Sequence, residues 1–275
     1  MPMFINSIFK KGRTVGEPTN EGLEATILHL LNKGHLKLDG NNILKINKSE
    51  NELLPFEEDV ISLFSNFEEN GVIDLTIVND SLKDVDELKF FKIKYNKVLN
   101  TFKEGYIRSR LTKMFNSNGA YRLRLYAVII ILISLFLLYF SFNSFLSFAL
   151  FAKIIAIVFI IFALVLIFLP DRYGGNWTSE GKLENLKWPN FRKFYKNEKL
   201  INEDMPSLDK WDDMIVYAHA LGDKDKILKV MQKTDITSYD KSNLVNFLVN
   251  GGYDELKKIF KAATASRFKN PSKNK

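Results

Sequence analysis

The hydrophobic pattern of the chain is dominated by one apolar run over residues 125–169, in which Lys153 is the single charged residue. About 20 helical residues cross the ~30 Å hydrocarbon core of a bilayer, so this run is about twice as long as one crossing needs. A polar cluster near its middle is typical of a turn, and its members are Ser141, Asn143, Ser144 and Ser147. The pattern therefore predicts a transmembrane hairpin over residues 121–170, with spans at about 125–142 and 149–169.

Lys153 lies near one end of the second predicted span. Pro170 cannot continue a helix, and about 20 residues counted back from it place the start of the span near Leu150. A lysine at the bilayer centre costs at least ~2.5 kcal/mol, whereas a lysine near the interface can extend its ammonium group to the headgroups. We therefore predict a snorkelling Lys153 and no ion pathway, because neither span contains a carboxylate, histidine or arginine.

Basic residues flank both ends of the predicted hairpin. They are Arg108, Arg110, Lys113, Arg122 and Arg124 before it, and Arg172, Lys182, Lys187, Arg192, Lys193 and Lys196 after it. Cytoplasmic loops carry such an excess of lysine and arginine, and an even number of spans places both flanks on the same side. The sequence thus predicts a multi-pass protein of the cell membrane with both termini in the cytoplasm.

The segment before the hairpin, residues 1–120, contains a helical pattern followed at once by a β-hairpin pattern. Apolar residues recur at helical spacing from Leu23 to Leu31, and Gly34 follows as a C-cap. Two short alternating stretches, 35–38 and 43–46, then flank the turn sequence 39–42. A helix followed by a hairpin is how a winged-helix domain ends. We therefore predict an α+β, winged-helix-like cytoplasmic domain here.

Further helices in this segment leave two functions open. A helix begins at Pro55, a short strand covers 72–75, and a longer amphipathic helix covers about 84–102. The lysines of the long helix lie largely between its apolar positions, and acidic residues share the helix, so a solvated face is the preferred interpretation. The alternative is a nucleic-acid surface, for which the candidate contacts are Lys37, Lys45, Lys89 and Lys92.

The segment after the hairpin, residues 171–262, predicts a small all-α cytoplasmic domain, with helices at about 208–221, 226–232, 241–249 and 253–262. A basic tail at 263–275 is predicted to be disordered. The helix around Trp188 is both aromatic and basic, so it either lies on anionic headgroups or buries its aromatic side chains, which is at least as well supported. The candidate membrane-surface contacts are Arg122, Arg124, Arg192, Lys193 and Lys196.

Composition narrows the function classes. The 275 residues include 39 Lys+Arg, 32 Asp+Glu, three histidines and no cysteine, which excludes disulfides and thiolate chemistry and disfavours a histidine-rich metal site. The part before the hairpin has 18 basic and 17 acidic residues, a net charge of +1, and the part from Pro170 onward has 20 and 15, a net charge of +5. The near-neutral first part weakens the nucleic-acid interpretation.

The apolar start of the chain precedes its first lysines, which is the reverse of the order in a signal peptide.

Catalytic motifs are missing from the sequence: there is no phosphate-binding glycine-rich loop, no HExxH and no GxSxG. Asp212, Asp213 and His219 are the acid and base residues that come closest to a set. Asp213 and His219 are six residues apart on a predicted helix and so point in nearly opposite directions. We therefore expect no catalytic residues, no metal and no cofactor.

Several strings resemble the predicted membrane proteins of the domain of unknown function 2207 family. They occur in the same order as in the family and cover about residues 2–234. The strings are residues 24–37 (EATILHLLNKGHLK), 54–57 (LPFE), 177–181 (WTSEG) and 216–222 (VYAHALG), together with the two spans and with Trp188, Phe191 and Trp211.

The resemblance implies a bacterial or archaeal membrane protein with an extracytoplasmic β-sandwich, a membrane span, a winged-helix-like cytoplasmic region, a membrane hairpin and a cytoplasmic tail. The sequence departs from this pattern because it contains neither the sandwich nor its anchoring span, which puts an extracellular sensing role in doubt for this polypeptide. We expect a truncated member, a split-gene product or one part of a larger protein. The family brings no catalytic residues.

These observations lead to one expected function and one alternative. We expect a mainly α membrane protein that is not an enzyme and acts as a scaffold or signal-relay component. Its expected partners are the lipid bilayer and other proteins. The alternative is a membrane-tethered, winged-helix regulator that binds nucleic acid. The sequence identifies no small-molecule substrate.

Overall fold

The computed structural model describes residues 1–10, 14–47, 53–143 and 149–265, and most of these residues are helical. They divide into two compact units. Unit 1 contains residues 1–10, 16–109 and 187–275, and unit 2 contains residues 11–15 and 110–186. Unit 2 includes the whole of the long apolar run.

The helices, in chain order, are α1 (Pro2–Phe9), α2 (Asn20–Asn32), α3 (Pro55–Ser62), α4 (Leu75–Ser81), α5 (Val85–Phe102), α6 (Arg108–Met114), α7 (Asn118–Asn143), α8 (Ala149–Phe168), α9 (Asp171–Gly174), α10 (Ser179–Lys196), α11 (Glu198–Glu203), α12 (Leu208–Ala220), α13 (Lys224–Thr234), α14 (Ile236–Lys241), α15 (Asn243–Val249) and α16 (Gly252–Thr264). A π-helical turn, Lys103–Ile107, joins α5 to α6. The boundaries between the two units fall within α6 and α10.

The composition of unit 1 differs from the predicted domains. The sequence predicted separate domains at 1–120 and 171–262, whereas most of both segments belongs to unit 1. Helical periodicity identifies the face of a helix that is buried, but it does not identify the element that buries it. Here the apolar faces of the first segment are covered by helices from the second.

A four-stranded antiparallel sheet lies in unit 1. Its strands are β1 (Leu36–Leu38), β2 (Ile43–Ile46), β3 (Glu68–Glu69) and β4 (Val72–Asp74), in the order β1-β2-β4-β3. The predicted β-hairpin is confirmed, because β1 pairs with β2 and Leu38 lies opposite Leu44. Leu44 in turn lies opposite Ile73 of β4. One face of this small sheet is therefore apolar and buried.

Helix α2 is the central helix of unit 1. Most of its residues from Gly22 to Leu30 are buried, so it is surrounded on nearly all sides. Three helices pack on α2. Helix α1 precedes the α7–α8 hairpin in the sequence, and α12 and α16 follow it. Trp211 of α12 is among the largest fully buried side chains.

Helix α16 completes the core beside the sheet-containing segment. The ring of Phe260 lies 6.4 Å from that of Phe64 and 6.2 Å from that of Tyr95. The side-chain amide of Asn79 donates to the carbonyl oxygen of Glu255 over 2.9 Å. A helix near the end of the chain thus supplies apolar cover that the predicted N-terminal domain would otherwise lack.

The predicted helices after the hairpin are found with small changes in their bounds. The helix expected at 241–249 is α15, and α14, which precedes it, was not predicted. Ser242 separates the two helices: its hydroxyl donates to Asp212 over 2.6 Å and accepts from the backbone N–H of Val245. Helix α16 continues to Thr264, so the first residues of the predicted tail are helical. The rest of that tail, residues 266–275, lies outside the described residues.

Unit 2 contains two candidate membrane-spanning helices, α7 and α8. By length and composition they can cross a bilayer over Asn118–Phe142 and Ala149–Phe168, and only 17% and 11% of their most apolar windows are buried. The core helix of a soluble protein would be mostly buried. Most residues of these two helices are instead not buried, as the predicted hairpin requires.

Candidate functional site

The seam between α7 and α8 is built from small residues at intervals of seven. Ala120, Ala127, Ser134 and Ser141 on α7 are buried, as are Ala156 and Ala163 on α8. A repeat of seven residues keeps one face of each helix toward its partner in a left-handed pair, and small side chains at that face allow the backbones to approach closely. The repeat is visible in the sequence, but hydropathy alone does not single it out.

The bulky residues of both helices face outward. Exposed side chains include Leu132, Phe136 and Phe140 on α7 and Ile154, Phe162 and Val165 on α8. Without cover, so much contiguous apolar surface is typical of contact with lipid or with another protein. The division into a seam of small residues and a bulky exterior is that expected of a membrane hairpin.

The closed end of the hairpin tests the predicted turn. Ser141 and Asn143 belong to α7, so the helix runs further than predicted, and the hydroxyl of Ser141 donates to the carbonyl oxygen of Ala149 over 2.6 Å. The predicted turn residues Ser144 and Ser147 lie outside the described residues. Lys153 lies in the second turn of α8, and its ammonium group is 4.4 Å from the ring centroid of Phe142. Its location near the start of α8 agrees with the snorkelling prediction, which remains a prediction.

A two-stranded sheet joins the start of α7 to the segment after α8, at the end of the hairpin opposite the 144–148 connection. Strands β5 (Phe115–Asn116) and β6 (Asn176–Trp177) pair with Phe115 opposite Trp177, and the two rings meet edge to face at 5.0 Å. Thr178, which follows β6, bonds twice to the segment before β5: its backbone N–H donates to the carbonyl oxygen of Met114, and its hydroxyl donates to the carbonyl oxygen of Lys113. A Cβ at Gly181 would lie 1.9 Å from the carbonyl oxygen of Met114. These contacts give a physical role to the string WTSEG at 177–181.

Aromatic and cationic side chains surround this end of unit 2. Tyr121 and Tyr173 are exposed, and the guanidinium of Arg172 lies 5.8 Å from the ring centroid of Trp177. Two of the predicted membrane-surface contacts are here: Arg122 is exposed, and Arg124 bonds to Asp171. Tyrosine and tryptophan at headgroup level are typical of membrane–water interfaces.

Arg192, a third predicted membrane-surface contact, occupies a different place. Its Nε donates to Asp223 over 2.6 Å, a second guanidinium nitrogen donates to the carbonyl oxygen of Leu221 over 3.0 Å, and its side chain is largely buried. Burial opposes ionisation of Asp223, but hydrogen bonds from Lys226 and Arg192 outweigh it and lower the pKa to about 2. Arg192 thus holds unit 1 together and does not lie at its surface.

The Asp223 ion pairs predict a defined loss of stability in acid. Because the folded-state pKa lies below the unfolded value of about 3.9, the stabilisation is complete above about pH 4 and is lost as the pH falls toward 2. We expect Asp223→Asn to lower the free energy of unfolding by about 2 kcal/mol at pH 7 and by much less near pH 2.5. Thermal unfolding at the two pH values measures this.

The matched control for that experiment is Asp225→Asn. Asp225 lies two residues further along the chain, in the first turn of α13; its side chain is 83% exposed, and its ion pair with Lys224 spans 3.6 Å. Exposed pairs of this kind contribute little, so the control should unfold like the parent protein. An Asp223→Asn effect that is the same size at both pH values would contradict the assignment.

The aromatic side chains of α10 pack within unit 1, and Tyr195 among them is buried, which agrees with the second interpretation of that helix. The ring of Trp188 lies 5.7 Å from that of Phe9 and 5.9 Å from that of Tyr217. Tyr195 is fully buried and packs 5.2 Å from Phe191. The basic residues Lys193 and Lys196, in contrast, are exposed, so these two keep the location that a membrane-surface contact requires.

The four candidate nucleic-acid contacts do not share one environment. Lys37 and Lys45 lie directly opposite each other on β1 and β2, and both are exposed. Lys89 pairs with Asp86 over 2.9 Å on α5, and the ammonium group of Lys92 donates to the carbonyl oxygen of Ala265 over 2.7 Å. Only the two strand lysines therefore form an adjacent pair.

A buried polar cluster joins α2, α12 and α16, and sequence reasoning missed it. Glu24 is only 2% exposed, and one of its oxygens lies 3.0 Å from Nε2 of His219 and accepts from the hydroxyl of Tyr253 over 2.9 Å. We assign the hydrogen to Nε2 of His219 because the carboxylate can only accept. Burial, followed by the charge of Glu24, raises the pKa of Tyr253. The cluster ties the two segments of unit 1 together.

Asp212, Asp213 and His219 do not converge, as expected from their spacing. Asp212 bonds to Ser242, while Asp213 accepts from the side-chain amide of Asn32 over 2.7 Å. Burial raises the pKa of Asp212 to about 6, against the opposing hydrogen bond from Ser242. In the described ranges, no group of three or more histidine, aspartate or glutamate side chains is placed to hold a metal ion.

One protein family matches this sequence. Its model, described as the C-terminal domain of a predicted membrane protein (DUF2207), matches residues 1–231. No curated protein and no solved structure matches the chain.

Proposed function

Because the chain belongs to the DUF2207 family of predicted membrane proteins, by a match over residues 1–231, we propose that it is a two-span protein of the cell membrane whose unit 1 binds protein partners. In this proposal the protein is not an enzyme; it is a scaffold or signal-relay component. Unit 1 is its cytoplasmic part, and α7 and α8 are its transmembrane hairpin.

The composition of unit 1 supports this topology. The segments on both sides of the hairpin, 16–109 and 187–275, belong to one compact unit. A compact unit lies on one side of a bilayer, so the chain between these segments has to return to the side from which it left. Two spans satisfy that condition, and the lysine and arginine residues of both flanks favour the cytoplasmic side.

The winged-helix-like interpretation belongs to the same proposal. It is supported by the direct succession of α2, β1 and β2, and by the pairing of β2 with β4. In this interpretation the β1–β2 hairpin is the wing. The near-neutral charge of the segment favours a wing that serves protein binding.

The observation that carries the partner-binding proposal is an exposed apolar patch on α5. Phe91, Tyr95, Val98 and Phe102 bury one side of this helix, while Phe90 and Ile93 lie on the other side and are 47% and 67% exposed. The ammonium group of Lys94 lies 5.0 Å from the ring centroid of Phe90. Neighbouring apolar side chains with a basic rim are typical of a surface for an acidic, amphipathic partner.

The test is the double variant Phe90→Ser/Ile93→Ser in the full chain, solubilised from native membranes. We expect a partner that co-purifies with the parent protein to be reduced at least tenfold, because removing two exposed apolar anchors at an interface costs more than about 1.4 kcal/mol. The melting temperature should stay within about 2 °C, since neither side chain belongs to the core. Quantitative mass spectrometry of the eluates measures the first quantity.

Ile236→Ser is the matched control for that variant, because Ile236 is an exposed apolar residue of the same unit, on α14. It should leave the set of co-purifying proteins unchanged. Equal losses from the control and the double variant, or no loss from either, would contradict the assignment of the partner surface to α5.

The alternative function, a membrane-tethered regulator that binds nucleic acid, is supported by the adjacent pair Lys37 and Lys45. Like charges directly opposite each other destabilise a pair of strands. A bound polyanion such as nucleic acid would offset the repulsion between these two lysines. Nucleic acid recovered with the protein should then be lost as salt is raised, and lost in the variant Lys37→Gln/Lys45→Gln. Recovery that does not respond to this variant would exclude the wing as the contact.

A further inference from the structure

Three lysines that have no acidic partner among the described residues lie where α10 ends and α11 begins. Lys193 and Lys196 lie on the last turns of α10 and Lys199 on the first turn of α11, and all three are exposed. Together with Asn197 and Glu198 they line one open surface depression of about 610 Å³. This set of lysines is called the α10–α11 patch below.

The one acidic residue of the depression is already bound elsewhere. Glu198 pairs with Lys233 over 3.1 Å. Among the residues that the structure describes, no carboxylate lies within 4.0 Å of the ammonium groups of Lys193, Lys196 or Lys199. Nearby cations of unit 1 differ from them, because Arg192 and Lys226 both pair with Asp223. The patch thus carries a local positive charge that no neighbouring acid balances.

An exposed apolar side chain adjoins this charge. Leu200 follows Lys199 directly and is 44% exposed. A soluble anion needs only the positive charge, and an exposed leucine adds nothing to its binding. Basic residues next to an exposed apolar residue are typical of segments that contact a membrane surface, where the ammonium groups meet headgroups and the apolar group enters the acyl boundary.

We propose that the α10–α11 patch binds the phosphate-bearing headgroups of anionic phospholipids, with Leu200 entering the interface beside them. The inference rests on the membrane attachment in the proposed function and does not depend on partner binding by α5. Arg192, which the sequence placed in this group, is excluded by its bonds to Asp223, and Lys199 takes its place. Each lysine near an anionic surface contributes about a fivefold change in binding.

The experiment uses the absence of cysteine from the chain. Leu200→Cys gives a single site for an environment-sensitive fluorophore in the full protein, which is then reconstituted into nanodiscs. We expect a blue shift in discs that contain phosphatidylglycerol and none in pure phosphatidylcholine, with reversal at high salt. Adding Lys193→Gln, Lys196→Gln and Lys199→Gln should lower the apparent affinity for phosphatidylglycerol roughly 100-fold.

Two controls keep the result specific. Lys210→Gln, Lys229→Gln and Lys257→Gln remove the same charge from exposed lysines elsewhere in unit 1, and they should leave the blue shift intact. A fluorophore at Ile236→Cys should report water in both kinds of disc. Equal effects of the two triple variants would show only a general charge effect and would overturn the assignment, as would a shift that does not depend on phosphatidylglycerol.

Inorganic phosphate separates a lipid headgroup from a soluble ligand. If phosphate in solution shifts the fluorophore in phosphatidylcholine discs, the patch is a site for soluble anions and the lipid proposal fails. Purified protein in discs contains no partner. Loss of the lipid response therefore leaves the α5 experiment unaffected, and failure of the α5 experiment leaves the lipid response unaffected.

Discussion

Replacing Ala156 by leucine is expected to force α7 and α8 apart and to lower the free energy of unfolding of the hairpin by about 1–3 kcal/mol. Ala156 is fully buried in the seam, where an added isobutyl group has no space. The bond between Ser141 and Ala149 fixes the register of the antiparallel pair. Counting seven residues along each helix from that bond, we expect Ser134 to lie near Ala156 and Ala127 near Ala163.

Two measurements check this expectation. Unfolding in mixed micelles gives the free energy, and oxidative crosslinking between cysteines introduced at Ala127 and Ala163 reports whether the helices remain in contact. Val158→Leu is the control, because Val158 lies on the same helix with its side chain exposed, and it should change neither quantity. If Ala156→Leu crosslinks and unfolds like the parent, the heptad seam does not hold the hairpin together.

Replacing Glu24 by alanine is expected to destabilise unit 1 by about 3 kcal/mol. The substitution removes the acceptor of two buried donors, Tyr253 and His219, and a buried polar group without a partner costs about 1–3 kcal/mol. For a unit of this size, the melting temperature should fall by roughly 6–12 °C. Circular dichroism during heating measures the change.

Glu58→Ala serves as the control, because Glu58 is an exposed glutamate on α3 and its loss should shift the melting temperature by less than about 2 °C. Tyr253→Phe in the Glu24→Ala background removes one of the stranded donors, so it should restore part of the lost stability. A Glu24→Ala protein that melts with the parent would mean that the cluster contributes nothing to joining the two segments.

The local elements of this protein follow from its sequence because their causes are local. The β1–β2 hairpin follows from alternation around a turn sequence. Helix α5 begins directly after its N-cap Asp84, whose side chain accepts from the backbone N–H groups of Asp86 and Glu87. The two spans follow from length and hydropathy alone. In each case the signal lies within about 20 consecutive residues.

The partners of these elements could not be predicted in the same way. Glu24 and Tyr253 are 229 residues apart in sequence, and nothing in the periodicity of α2 indicates that its cover comes from α12 and α16. The environment of Arg192 could not be predicted either. The sequence pattern of an amphipathic helix is the same whether its basic residue faces water or a buried aspartate. The buried seam of α7 could have been predicted from the sequence, since alanine and serine recur there at every seventh position.

The assembly of unit 1 from two segments fixes an order of events during synthesis. Helix α2 leaves the ribosome early, but α16, which covers it, ends only at Thr264. At roughly 5–20 residues per second, translation from Arg110 to Thr264 takes on the order of 10–30 s. In the proposed topology the hairpin therefore reaches the membrane while the earlier segment still lacks its cover. We then expect insertion of the hairpin to precede folding of unit 1, with chaperones or the membrane surface shielding the apolar residues of α2 until α12 and α16 emerge.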